Sequence, residues 1–315
     1  MPSIVSLTPR GVERAKSGHP WIYRSDLADI QAAGGDVVQV VGPRGRPIGD
    51  AFYSEKSQIA LRLVTAGATR ADAALWRGRL AQAIRFRESL NIDATAYRLV
   101  HGEGDLLPSL IVDRYGDYLV LQTLSQGTDR LLPEWVAGLN DLLKPAGILA
   151  RNDVRVRTLE GLETKVEVVS GSVPQTVEVR EGRVRYDVDL FTGQKTGLFL
   201  DQRENREAAA RYAHGRLLDA FSYHGGFALA LAPQCTETIA IDSSEEATRH
   251  ITQNAARNGV TLDVRTANVF DELRELDRGD ARFDTIVLDP PAFAKNRAAV
   301  DKALAGYKEI NLRAL

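Results

Sequence analysis

The hydrophobic pattern of the chain changes character twice. In residues 1–70 the apolar positions come in short runs cut by Gly and Pro clusters. The runs 37–41 (V-V-Q-V-V) and 59–64 (I-A-L-R-L-V) predict strands, and 42–49 (G-P-R-G-R-P-I-G) predicts a turn cluster. Short strands with such turns in about 70 residues predict a small β-barrel. A helix follows over 69–90, ending at Asn91. Residues 97–190 mix strands (97–100, 109–113, 118–123, 148–151) with a helix at 131–143, whose first turn holds Pro133 at little cost. A hairpin is predicted from 176–180 and 184–190 around E-G-R, then a charged helix over 196–212.

From Arg216 onward strand and helix alternate strictly. Strands fall at 217–221, 238–241, 263–266 and 285–288, and helices at 226–231, 245–258, 269–276 and 300–315. Such alternation predicts the first half of a doubly wound parallel sheet, which binds ligands at the carboxyl ends of its strands. The expected fold class is therefore α/β: a barrel at 1–70, a central α+β domain at 71–190 and a Rossmann-like sheet at 191–315.

Composition narrows the function classes. No apolar run reaches 18 residues, so no membrane span is expected. The amino-terminal stretch lacks the basic and apolar regions of a secretory signal. The single cysteine, Cys235, excludes an intramolecular disulfide and a cysteine-cluster metal site, and His101 and His224 lack a ligand's spacing, so no metal is expected. A cytoplasmic location is the default expectation. Residues 1–70 hold 9 Lys/Arg and 6 Asp/Glu, a net of +3, whereas residues 216–315 hold 12 and 15, a net of −3. A basic module beside an acidic one fits an RNA-contacting domain attached to an enzyme domain. Lys16, Arg24, Arg44 and Arg46 are the candidate phosphate contacts.

The chemistry gathers at the predicted strand ends. In 217–227 (L-L-D-A-F-S-Y-H-G-G-F) a strand runs through Asp219 into a turn where Gly225 and Gly226 permit close backbone approach. The first glycine of a dinucleotide fingerprint is missing, so a cofactor without a pyrophosphate fits better. Asp219 is placed near its sulfonium or ammonium end. Asp242, about 20 residues on, is suited to accept ribose hydroxyls, leaving Ser243 or Ser244 to cap the next helix. Asn268 could serve the adenine amino group or simply end a turn. In 288–293 (L-D-P-P-A-F) the two prolines stiffen a strand end. Asp289 and the Pro290 carbonyl can then meet the amino edge of a flipped base, and Phe293 its face. Lys195, Phe199 and Gln202 in 191–206 are read as a lid over the cofactor cleft. Cys235 is read as a packed side chain. This constellation points to an S-adenosylmethionine-dependent nucleic-acid methyltransferase.

These segments resemble the RlmI-like family of 23S rRNA cytosine-5 methyltransferases. G-H-P-W-I-Y-R (18–24) is similar to the family's PUA domain, and H-G-E-G-D-L-L-P-S-L-I-V-D-R-Y (101–115) to its central domain. G-Q-K-T-G-L-F-L-D-Q-R-E-N-R (193–206), D-A-F-S-Y-H-G-G-F, L-D-P-P-A-F-A-K and Y-K-E-I-N-L-R-A (307–314) resemble its methyltransferase domain. The resemblance implies S-adenosyl-L-methionine as donor and large-subunit ribosomal RNA as acceptor, with a homodimer left open. Carried over by position, Gln202, Phe221, Ser222, Gly225, Asp242, Asn268 and Asp289 would line the cofactor site. Tyr223 and His224 receive no role.

The family's S-C-S segment, whose cysteine attacks carbon 6 of cytosine, does not occur in these residues. The expectation is a longer natural chain, by about 70–90 residues, with these 315 unable to complete cytosine-5 transfer. Two alternatives stand beside the leading one. One is a guanine-N2 or other amino-group methyltransferase, which needs no cysteine. The other is an RNA-binding remnant without catalysis.

Overall fold

The computed structural model describes residues 3–294 and 296–315. Lys295, the last residue of L-D-P-P-A-F-A-K, lies outside them. The chain forms two compact units, Met1–Val177 with Asp189–Gly197, and Glu178–Val188 with Leu198–Leu315.

The first unit begins with β1 (Ile4–Leu7), α1 (Pro9–Lys16), β2 (Trp21–Tyr23), β3 (Leu27–Gln31), β4 (Val37–Val41), β5 (Pro47–Tyr53) and β6 (Ile59–Leu63). These strands make one mixed sheet in the order β2-β6-β5-β4-β1-β3. Laid flat, six strands would put β2 and β3 about 24 Å apart. Yet only the 3-10 turn Arg24–Asp26 joins them, and that can span at most about 14 Å. The sheet must therefore curl, as the expected barrel does. Its interior is Val5, Leu7, Ile22, Val38, Val40, Ala51, Tyr53 and Leu61.

Sequence reading misses β1, β2 and β3; β2 has only three residues, and β3 (L-A-D-I-Q) is mostly exposed, without apolar alternation. Below them sits Asp26, fully buried, which takes Arg10 at 2.5 Å and Arg14 at 2.8 Å. Burial alone would raise the Asp26 carboxyl, but the two guanidinium groups outweigh it and hold it below the usual carboxylate range.

The unit continues with α2 (Ala73–Ser89), β7 (Ala96–His101), β8 (Leu110–Tyr115), β9 (Tyr118–Thr123), α3 (Gln126–Arg130), α4 (Leu132–Leu143), β10 (Gly147–Asn152), α5 (Val156–Leu159) and β11 (Lys165–Gly171). Helix α2 starts later than predicted because the Asp72 side chain accepts from Leu75 N–H and caps it. The second sheet has the order β11-β10-β9-β8-β7, with β9 and β10 parallel and the other neighbours antiparallel. Trp76 of α2 stacks on Phe52 of β5 and meets Trp135 of α4 edge-on, with 5.4 Å between centroids in both pairs. One core thus joins the two sheets. Arg62 of β6 and Glu160 add a buried ion pair at 2.8 Å.

The second unit takes most of the hairpin β12 (Thr176–Glu181) and β13 (Val184–Asp189), then α6 (Arg203–Ala210), β14 (Gly215–Ala220), α7 (Gly226–Leu231), β15 (Cys235–Asp242), α8 (Glu245–Asn258), β16 (Asp263–Thr266), α9 (Val269–Arg278), β17 (Thr285–Leu288) and α10 (Val300–Ala314). The predicted 196–212 helix is shorter. Gly197 (φ +142) interrupts it, and regular helix begins only at Arg203. The four-stranded sheet is parallel, in the order β16-β15-β14-β17.

Strand alternation sorts its faces. Leu218 and Ala220 pack with Ile239, Ile241, Val269, Leu273 and Ile310 against α9 and α10. Leu217 packs with Leu231 and Ala213, and Ala240 with Ala228 and Ile251, against α6, α7 and α8. Helices that turn apolar side chains onto both faces of the sheet are the expected doubly wound arrangement.

Removing one member of a buried pair leaves the other charge uncompensated, at a cost of about 3 kcal/mol. Glu160→Ala is therefore expected to lower the urea-unfolding stability of the first unit by about that much; a loss under about 1 kcal/mol would show the pair to be dispensable.

Candidate functional site

Register places the candidate residues in a row. Ala220 pairs with Ile241 on one side and with Leu288 on the other, and Asp242 pairs with Thr266. The carboxyl edge therefore presents Asn268, Asp242, the turn 221–225 and Asp289 in spatial order. Chain order reverses between β14 and β17, and that is the switch point where such sheets bind ligands.

The turn has unusual backbone. Phe221 (φ +65), Tyr223 (φ +52) and Gly225 (φ +79) are all left-handed. Only the last is a glycine, so two positions carry strain. Three contacts hold it. Ser222 N–H donates to the Ile241 carbonyl at 3.0 Å. Tyr223 N–H donates to Asp242 Oδ2 at 2.9 Å. Ser222 Oγ–H donates to Asp219 Oδ2 at 2.6 Å.

Asp219 does not face the cleft, in contrast to its sequence-based placement beside the cofactor's sulfonium end. It follows Leu217 by two residues, and alternation points it under α7, where it is buried and accepts Ala228 N–H at 2.9 Å. Burial pushes its carboxyl up to about 6, against the hydrogen bonds from Ser222 and Ala228 and the charge of Arg206. Asp242 ends β15 and is half-buried. Its two oxygens accept from Tyr223 N–H and Ser244 N–H (3.0 Å), and Ser244 caps α8 through Ala247 N–H as anticipated. Each oxygen keeps a second lone pair for a ligand. Asn268 is the N-cap of α9, its Oδ1 accepting from Phe270 N–H at 3.0 Å and Asp271 N–H at 3.4 Å.

Asp289 is exposed at the end of β17, and Pro290 beside it is half-buried. Phe293 is not an open platform. Its ring packs among Tyr307 (4.5 Å), Phe270 (5.6 Å) and Phe221 (6.2 Å). Its N–H donates to Tyr307 Oη at 3.2 Å, which moors the D-P-P loop to α10. Tyr307 was visible only as part of a motif, without a role. Phe199 meets Tyr223 edge-on at 5.1 Å, and Gln202 Oε1 accepts from Asn205 Nδ2 at 2.7 Å. Lys195, in the left-handed region (φ +56), belongs to the first unit's 189–197 segment. His224 is buried against Tyr223, ring centroids 3.9 Å apart, and burial drives its imidazole down to about 3, so it is neutral at physiological pH.

Of the four RNA candidates, Arg24 is committed elsewhere. Its guanidinium donates to the carbonyls of Ser54 (2.6 Å) and Ser57 (2.9 Å). Lys16 pairs with Glu13 at 2.9 Å. Arg44 and Arg46 stand exposed on the turn before β5. Sequence reading missed the neighbouring aromatics: Arg14 lies 4.8 Å over the Tyr23 ring, and His19 lies within 6.3 Å of both Trp21 and Tyr23.

A parallel α/β sheet with a strained turn and a strand-end carboxylate at its switch point is a doubly wound, ligand-binding type of fold. Residues 98–313 match the S-adenosylmethionine-dependent methyltransferase family and residues 5–66 match a PUA-like domain; the chain belongs to that methyltransferase family. It is 39% identical over 308 residues to Ribosomal RNA large subunit methyltransferase I of Tolumonas auensis, covering 94% of this chain and 78% of that protein. Two solved structures share the fold. One, described as a SAM-dependent methyltransferase from Streptococcus mutans, has a TM-score of 0.80 at 20% identity and covers 97% of this chain and 82% of its own. The other, a methyltransferase complexed with SAH, has a TM-score of 0.83 at 21% identity and covers 100% and 82%. The N-terminal PUA-like and C-terminal Rossmann-like parts of the expected fold are thereby established, with S-adenosylmethionine as the family's cofactor. Among the described residues no helix is long and apolar enough to cross a membrane.

The site fits that cofactor better than a phosphate-bearing one. A dinucleotide fold leaves the N-terminal N–H groups of this helix for the pyrophosphate. Here a carboxylate already takes Ala228 N–H from inside, and its negative charge opposes a second anion.

A carboxyl raised above its ordinary 3.8 contributes stability that is fully present below about pH 4 and lost as pH rises through about 6. The Asp219 carboxyl 13C resonance is expected to titrate near pH 6. The stability margin of wild type over Asp219→Asn is expected to shrink between about pH 4 and pH 6. A midpoint near 4 would show the carboxyl to be solvated.

Proposed function

We propose that this chain uses S-adenosylmethionine to methylate large-subunit ribosomal RNA, with cytosine carbon 5 as the acceptor where a thiol that these 315 residues do not supply adds at carbon 6. One observation carries the reading: the row of strand ends with Asp242 beside the 221–225 turn and Asp289 across the switch point. The name of the Tolumonas auensis relative supports the ribosomal acceptor. A ribosomal substrate also implies a cytoplasmic enzyme.

In this reading the remaining lone pairs of Asp242 accept the ribose hydroxyls. Phe221, Ser222 and Gly225 shape the floor of the cofactor cleft, Asn268 borders the adenine, and Phe199 and Gln202 come from the segment read as a lid. The cofactor supplies an electrophilic methyl group. Asp289 and the Pro290 carbonyl meet the amino edge of the base, and Phe293 holds the wall they form. Arg44 and Arg46, exposed on the turn before β5, are the candidate phosphate contacts on the PUA-like sheet.

Carbon 5 of cytosine is a poor nucleophile until a thiolate adds at carbon 6. Cys235 does not serve. It opens β15, seven residues before Asp242, so the thiol lies about 23 Å from the carboxyl edge. Burial and Asp284 also raise its thiol above the ordinary value. Transfer to an exocyclic amino group, as on guanine N2, requires no thiolate, and the exposed Asp289 beside Pro290 suits it. The product nucleoside separates the two.

Calorimetry with S-adenosylhomocysteine is expected to show binding that weakens at least tenfold in Asp242→Ala; unchanged affinity would sink the ribose assignment. With labelled S-adenosylmethionine and large-subunit RNA, labelled 5-methylcytidine supports the leading reading. Labelled N2-methylguanosine replaces it with the amino-group reaction. RNA binding without any label would mean that these residues hold the substrate but do not react.

A further inference from the structure

A buried cation lies beneath the glycine turn, and the chemistry above makes no use of it. Arg206 of α6 is 8% exposed. Its Nη1 donates to Glu181 Oε2 of β12 at 2.5 Å, and its Nη2 donates to the Phe199 carbonyl at 3.1 Å. The guanidinium carbon lies 5.8 Å from the centre of the Phe227 ring. A Cβ on Gly226 would sit 2.6 Å from Arg206 Nε and 2.9 Å from Cζ. The guanidinium therefore fills the space that any side chain at 226 would need.

The arrangement is costly. Among the described residues Arg206 Nε and the Tyr186 hydroxyl are both buried without a hydrogen-bond partner, and burial raises the Tyr186 hydroxyl above its ordinary range, so it stays protonated. A buried ion pair with unmet donors contributes little to stability compared with an apolar filling of the same volume. What it does provide is geometry. A planar fork with fixed donor directions sets distances that a greasy contact would leave loose.

Resting on the methyltransferase reading, we propose that Arg206 is a positioning residue for S-adenosylmethionine. It touches no reacting atom. Its fork fixes the Phe199 segment and the Gly225–Gly226 turn at one separation, and these are the two stretches that would close on the cofactor. Glu181 holds the fork from the far side. Arg206 is also the cation that favours the ionised form of Asp219, so the same side chain acts on the carboxylate that shapes the turn.

The test is calorimetric affinity for S-adenosylhomocysteine beside thermal unfolding, in wild type, Arg206→Lys, Gly226→Ala and the double variant. Lysine keeps a cation against Glu181 but loses the second donor held by the Phe199 carbonyl. Alanine at 226 leaves Arg206 unaltered chemically but pushes its guanidinium aside. The expected result is that Arg206→Lys keeps its melting temperature within a few degrees yet binds about tenfold more weakly, the size of one lost charge-assisted hydrogen bond. Gly226→Ala should weaken binding by a similar factor, and the double variant should fall short of the product of the two, because both act on one contact. Wild-type affinity in both folded single variants overturns the proposal. So does an Arg206→Lys variant that fails to fold, which would assign the side chain to the fold alone. Failure of the wild type itself to bind overturns the cofactor reading, and this proposal with it.

Discussion

A carboxylate placed under a helix start organises the second unit. Strand alternation carries Asp219 to the α7 side of the sheet, and there it must find donors. It finds Ser222 Oγ–H and Ala228 N–H, one on the turn and one on the helix. Satisfying both requires the chain to double back between them, and the left-handed residues Phe221, Tyr223 and Gly225 accomplish this. Each non-glycine residue in that region costs about 1–3 kcal/mol, a cost offset by backbone contacts to Ile241 and Asp242 on the neighbouring strand. The shape of the 221–225 turn thus follows from a buried charge rather than from the glycines alone. The glycines remove obstacles, at Gly225 to a left-handed φ and at Gly226 to the Arg206 guanidinium.

The same constraint explains why Asp242 is so placed. Its carboxylate is a bracket between two strand ends, with one oxygen on Tyr223 N–H and the other on Ser244 N–H. A group held by two backbone donors cannot rotate, and its outward lone pairs are therefore fixed in direction before any ligand arrives. Preorganisation of this kind lowers the ordering cost of binding. Structural and ligand-binding roles are often treated as rivals for a strand-end aspartate; in the proposed reading the first would make the second possible.

Much of this was legible in the sequence where the pattern is periodic. The four parallel strands of the second unit, the helices between them and the strand-end positions of Asp242 and Asp289 all follow from alternation and punctuation. The misses have physical causes. Trp21–Tyr23, with three residues, is too short to show a period, and Leu27–Gln31 is mostly exposed and shows no apolar alternation. Arg24 reads as a free cation in a basic segment, but the carbonyls that bind it lie some 30 residues on. Arg206 and Glu181 are 25 residues apart, and nothing local marks them as a pair. Asp219 is a different failure. The L-L-D-A alternation already contained its direction, but the expectation of a charged ligand outweighed the geometry. Asn268 had been left open between ligand contact and turn residue, and its two backbone bonds make it a cap.

The wall on the other side of the cleft is built by a different principle. One hydrogen bond, from Phe293 N–H to Tyr307 Oη, moors the D-P-P loop to α10. Two prolines limit its backbone, and aromatic packing sets its position: Phe293 is held between Tyr307 of α10 and the pair Phe221 and Phe270. Gly306 is what lets that ring approach α10, since a Cβ there would meet it at 3.3 Å. Phe221 belongs to both systems, because its strained backbone is part of the turn and its ring is part of the cluster. The hydrogen-bonded turn and the apolar cluster that holds the D-P-P loop thus share one residue, and each fixes a different part of it.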